Sequence, residues 1–170
     1  TIISCQNHPM HKQSFRIMTA SKSSRRCRAD ENMTEFVIKS SENFYAKFHS
    51  QEIGKDGWLD KYTLTIHTND MNASTKVFNH PSGQAPSDFF ELLALDWKGW
   101  SGNKRCSAME AEIDFTASHD NKGIIELTIE LRSGFTAPYW NSSITLQIDA
   151  GQIQKIAEDS KCFFYPDYEE

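Results

Sequence analysis

Apolar and polar positions alternate most regularly in the C-terminal half of the chain. Met109, Ala111, Ile113, Phe115 and Ala117 alternate with Glu110, Glu112, Asp114, Thr116 and Ser118. A period of two predicts a strand with one dry face and one wet face. The polar run His119-Asp120-Asn121-Lys122-Gly123 then predicts a turn. Beyond it Ile125, Leu127, Ile129 and Leu131 alternate with Glu126, Thr128, Glu130 and Arg132, which completes an antiparallel hairpin. A third strand follows, with Ile144, Leu146 and Ile148 on its dry side and Ser143, Thr145, Gln147 and Asp149 on its wet side. Ile153, Ile156 and Ala157 mark a helix between Gly151 and Ser160.

Four shorter strands are predicted upstream. They centre on Phe36-Val37-Ile38, Phe44 to Phe48, Tyr62 to His67 and the stretch from Ala73 to Phe78. His80 to Pro86 carries two prolines and a glycine and reads as a loop. The segment FFELLALDWKGW, Phe89 to Trp100, then reads as a helix started by Ser87 or Asp88, with Glu91 at the reciprocal capping position, and stopped at Gly99. Phe89, Leu92, Leu93 and Trp97 form its apolar stripe, so Trp97 is expected in the core. The predicted fold class is α+β: a twisted, mainly antiparallel sheet of about six to seven strands with two helices packed on one face.

At 170 residues the chain suits one domain, and no run of about 18 apolar residues exists to cross a bilayer. Charge is unevenly distributed. Residues 1–32 hold six basic and two acidic side chains, a net of +4, so residues 33–170 carry −9 against −5 for the whole chain. An acidic domain fits a basic protein partner and argues against nucleic acid, whose phosphates need a positive face. The polar, aperiodic stretch 1–32 reads as a disordered or non-native leader ahead of a single α+β domain over 33–170. Met33 is an alternative initiator for that domain. Cys5, His8, His11 and Cys27 could supply four zinc ligands, but Pro9 breaks the run and Cys27 lacks a paired neighbour, so no metal is assigned. Four cysteines form no dense framework, which favours a reducing, cytoplasmic setting with Cys106 and Cys162 as buried free thiols.

The residues from Phe89 to Glu112, the aromatic-rich helix FFELLALDWKGW and the strand start after it, resemble a bacterial family known only as a domain of unknown function. The resemblance rests on Trp97, Gly99 and Trp100 (W-x-G-W), on Ser107, Met109, Glu110 and Glu112 at a strand start, on Ser118-His119-Asp120, and on Ala150-Gly151-Gln152-Ile153 opening the last helix. It covers about residues 35–160 and departs at Cys106, where a larger residue is expected. The resemblance implies one domain beginning near Met33 and brings no activity, ligand or cofactor.

Candidate chemistry is sparse. His119-Asp120 with Cys106 is the best possible base and nucleophile set, yet it lies in a turn and matches no catalytic motif, so no catalytic residue is assigned. The wet face offers more. In the expected register Glu110, Glu112 and Asp114 lie across from Glu126 and Glu130, a partner-binding surface with few cations. Trp100, Tyr139 and Trp140 are candidates for the rim of a pocket or an interface. Together these features lead to the expectation of a non-enzymatic binding protein, most concretely an immunity-type inhibitor of a basic toxin. The alternative expectation is a small-ligand or regulatory module with a pocket between sheet and helices.

Overall fold

Eight strands and two helices appear in a computed structural model that describes residues 33–80, 85–134 and 137–165. Strands β1 (Phe36–Ser41), β2 (Phe44–Ile53), β3 (Leu59–His67) and β4 (Asn72–Phe78) come first. Helix α1 (Pro86–Leu95) separates them from β5 (Asn103–Ser107), β6 (Ile113–His119), β7 (Ile124–Arg132) and β8 (Asn141–Asp149). A 3-10 turn, Ala150–Gln152, leads into α2 (Ile153–Phe164). The strands form two four-stranded antiparallel meanders, β1-β2-β3-β4 and β5-β6-β7-β8. The class is α+β as expected, but the single six- to seven-stranded sheet is corrected to two sheets. The strand missed by the alternation is β5. Its inward positions are Lys104 and Cys106, and a buried lysine hides the apolar period that would have revealed it.

The two dry faces and both helices share one core. Phe48 of β2 shows how it closes: its ring lies 5.9 Å from Tyr62 of β3, 6.4 Å from Phe90 of α1, 6.3 Å from Phe115 of β6 and 6.0 Å from Phe164 of α2. The two helices also pack on each other. Between the sheets, the Gln147 amide donates to Ser40 Oγ (3.3 Å), and Thr75 Oγ1 donates to the carbonyl of Arg132 (3.0 Å).

Helix α1 starts and stops earlier than expected. Ala85 is its N-cap with no side-chain cap bond, and Pro86 takes the first turn, where a missing N–H costs nothing. The helix ends at Leu95, so its buried positions are Pro86, Ser87, Phe89, Phe90, Leu93 and Ala94. Trp97 falls beyond it and is 49% exposed, which corrects its assignment to the core. Cys106 is buried and outside any disulfide, whereas Cys162 is disulfide-bonded, a correction that removes its support for a reducing compartment. No described helix is long and apolar enough to cross a membrane. The leader, with Cys5, His8, His11 and Cys27, lies outside the described residues.

Candidate functional site

Strand β6 begins at Ile113, four residues later than the alternation placed it, so Ala108 to Glu112 form a tight connection from β5. The Ala108 amide donates to Ile113 O (3.1 Å) and the Ala111 amide to Ala108 O (3.0 Å). Closing this turn holds Ala111 at φ 57°, a left-handed conformation that is strained for any residue with a Cβ. The turn reverses the expected facing of its side chains. Met109, expected inside, is exposed, and Glu112, expected on the wet face, is only 5% exposed.

Glu112 sits where three segments meet. Its carbonyl accepts from the Arg132 amide (2.8 Å), and its Oε1 accepts a long bond from the Phe78 amide (3.5 Å). Its Oε2 is buried without any hydrogen-bond partner. Burial raises the pKa of this carboxyl above its ordinary value, and the charge of Glu110 adds to the rise. Its backbone hydrogen bonds, including that from Phe78, oppose it. The side chain of Arg132, whose amide bonds the Glu112 carbonyl, is already engaged. Arg132 pairs with Asp114 and with Glu130 (2.8 Å), and it also donates to Ala111 O (3.4 Å). Asp114 and Glu130 are direct cross-strand partners, so the guanidinium offsets a repulsion the sequence leaves open.

Four of the five acidic residues expected to bind a partner, Glu110, Glu112, Asp114 and Glu130, therefore gather at one end of the second sheet. Glu126 does not join them: it pairs across to Ser118 and Gln147, nearer the β6–β7 turn. Tyr139 and Trp140 do belong to the same end, because Trp140 O accepts from the Ser133 amide next to Arg132. Tyr139, Trp140, Met109 and Phe78 are all exposed there. Sequence reasoning missed Phe78, Met109 and Arg132. The available signal was the polar start of β5, which shifts the turn and with it the facing of Met109.

Beneath Phe78 and Met109 lies a cavity of about 20 Å³, also lined by Tyr62, His80, Cys106 and Phe115. It has room for about one water molecule. Trp100, Tyr139 and Trp140 do not line it.

The opposite end of the sheet holds the other candidates. His119 Nδ1 accepts from the Asn121 amide (2.8 Å), and its Nε2 faces Trp97 O (3.2 Å). A carbonyl can only accept, so Nε2 is the donor in that bond. Asp120 Oδ1 accepts from the Lys122 amide (2.7 Å) and the Ile124 amide (2.9 Å), bonds that hold its pKa below the usual range. Cys106 pairs with Phe115, four residues along the strand from His119 and thus about 13 Å away. The three residues are not a nucleophile and base set. Trp100 packs edge-on against His119 (5.0 Å) under the ammonium of Lys104 (4.8 Å), and Lys104 donates to Leu92 O (3.0 Å) and pairs with Asp96. This constellation closes the C-terminal end of α1 against the sheet. Among the described residues no group of three or more His, Cys, Asp or Glu side chains is arranged to hold a metal ion.

No curated protein and no solved structure matches the chain. A family model does match, over residues 26–167, and on that match the chain belongs to the family of unknown function DUF6228.

Proposed function

We propose that this domain is a non-enzymatic protein-binding module that docks a basic partner at the corner formed by the β4 end, the β5–β6 turn and the β7–β8 loop. Its most concrete form is an immunity-type inhibitor that covers the basic cleft of a toxin. One observation supports this above the others: Glu110, Glu112, Asp114 and Glu130 share the corner with Arg132 and with exposed Phe78, Met109, Tyr139 and Trp140. Aromatic residues and methionine at the centre of a patch, ringed by charge, are the composition of interface anchors. Carboxylates at that density attract a basic protein and repel a phosphate backbone. A small-ligand role has less support, because the cavity below the corner accommodates about one water and lacks the expected aromatic rim.

The test uses the partner recovered by crosslinked affinity capture from the source organism. Association rates of the wild type and of the triple variant Glu110→Gln, Glu112→Gln, Glu130→Gln are measured across a salt series, keeping Asp114 as the partner of Arg132. The variant is expected to associate about tenfold more slowly at low salt, with a flatter salt dependence. Identical rates and slopes would remove the docking site from this corner.

A further inference from the structure

Cys162 is disulfide-bonded, and the sequence narrows its partner to two residues. The chain holds four cysteines, of which Cys106 is buried on β5 and outside any disulfide, so Cys5 and Cys27 remain. The family match separates them, because residues 26–167 include both Cys27 and Cys162 and leave Cys5 out. Chain geometry favours the same choice. Cys162 lies in the last turn of α2, which packs beside β1. The Phe36 ring at the start of β1 is 5.0 Å from Phe48, and the Phe48 ring is 6.2 Å from Phe163, the neighbour of Cys162. Cys27 precedes Phe36 by nine residues, a length that reaches up to ~30 Å and so covers that gap. Cys5 precedes the same strand by 31 residues. Effective concentration at the end of a tether falls as roughly the −3/2 power of its length, which favours Cys27 over Cys5 by about sixfold.

We propose that Cys162 is bonded to Cys27, and that the bond is a redox-controlled latch fastening the basic stretch Arg25 to Arg28 to the C-terminal end of α2. Cys162 is half-buried, which gives small thiols access to it, and the two residues after it, Phe163 and Phe164, are core. Phe163 O also accepts from Gln51 Nε2 (2.7 Å), so the latch holds a turn that sheet and core both use. Arg25, Arg26 and Arg28 bring positive charge to the helix end where the backbone dipoles favour it. Closure uses a small-molecule disulfide as oxidant. The Cys27 thiolate attacks one of its sulfurs and expels a first small thiol, and the Cys162 thiolate then attacks the Cys27 sulfur of the mixed disulfide and expels the second. Two protein thiols thereby lose two electrons and two protons, and the small disulfide becomes two thiols. Excess small thiol reverses both steps. The closed loop takes in nearly the whole domain, so the link restricts the unfolded chain strongly. This inference is independent of the docking reading.

The full chain is equilibrated with oxidised or with reduced glutathione, unfolded, alkylated and mapped by mass spectrometry without further reduction. In the oxidised buffer a Cys27–Cys162 linked peptide is expected, with Cys5 and Cys106 alkylated. In the reduced buffer all four cysteines should be alkylated, and the thermal midpoint of the folded protein should fall by about 10 °C. Cys27→Ser and Cys162→Ser should each show the lower midpoint in both buffers, whereas Cys5→Ser should keep the wild-type response. A Cys5–Cys162 peptide, a link between two chains, or four alkylated cysteines in the oxidised buffer overturns the assignment. A wild-type midpoint that differs by less than about 2 °C while the link forms and breaks overturns the latch. A link that survives reduced glutathione in the folded protein overturns its redox control.

Discussion

The two ends of the second sheet treat their polar groups in opposite ways. At the β6–β7 end, both ring nitrogens of His119 and a carboxylate oxygen of Asp120 have backbone partners, and the Lys104 ammonium bonds Leu92 O and Asp96. Among the described residues at that end, the indole N–H of Trp100 is left without a partner. At the β5–β6 end a carboxylate oxygen is buried with no partner, the turn beside it strains Ala111, and large apolar side chains face solvent. A satisfied network stabilises one conformation and has little capacity left for a ligand, whereas an unsatisfied charge costs stability that folding alone does not recover. The residues that look most chemical in the sequence, a histidine next to an aspartate, are on the side that holds the fold together.

If that contrast is sound, the largest losses of stability come from the satisfied end. His119→Ala removes a buried ring and both of its hydrogen bonds, and is expected to cost about 3 kcal/mol in urea unfolding, or roughly 10 °C in thermal midpoint. Gly99→Ala should cost at least about 2 kcal/mol. Gly99 holds φ 132°, and a Cβ there would collide with the Asn121 side-chain oxygen. A His119→Ala protein with a native midpoint would break the comparison, because the histidine would then be free for chemistry.

A smaller effect separates backbone from side chain within the same end. Trp97 supplies its carbonyl to His119, while its half-exposed ring has the Lys98 ammonium at 5.8 Å. Trp97→Ala keeps the carbonyl and loses only the buried half of the ring. The expected cost is about 1–2 kcal/mol, against about 3–5 for a fully packed tryptophan. A loss in the upper range would restore Trp97 to the core.

Much of the fold was legible because most strands obey a simple rule: inward positions are apolar, as in Ile113, Phe115 and Ala117 or Ile125, Leu127, Ile129 and Leu131. Where a functional or structural polar group turns inward, the rule fails. Lys104 concealed β5, and with β5 unseen the period ran on through the turn, so Glu112 was placed on the wet face and Met109 on the dry one. The division into two sheets was not legible either, since antiparallel meanders joined by a helix have the same local pattern whether or not β4 pairs with β5. The candidate site was half visible. Composition indicated acidic residues and exposed aromatics, but only the register brings Glu110, Glu112, Asp114 and Glu130 to the corner that holds Tyr139 and Trp140, and leaves Glu126 and Trp100 elsewhere.

The smallest expected change is a gain, and it bears on the unsatisfied end. Glu112→Gln replaces a buried charged group by a neutral one of the same shape, so at pH 7 it should stabilise the domain by about 1 kcal/mol, the cost recovered from an unpaired buried group. The pH dependence fixes the sign. The folded-state pKa of Glu112 is raised above its ordinary value of 4.5, so the folded state binds the proton more tightly than the unfolded chain does. Below the ordinary value the carboxyl is neutral in both states and the variant gains nothing on this account. As pH rises through 4.5 toward the raised folded value the wild type loses stability, and above that value the loss is complete. The difference between variant and wild type should therefore open across that window and stay constant at higher pH, read as the gap between their urea midpoints from pH 4 to 8. A gap of the opposite sign, with the variant less stable at pH 7, would mean that the carboxylate is satisfied in the folded domain and that the contrast between the two ends does not exist.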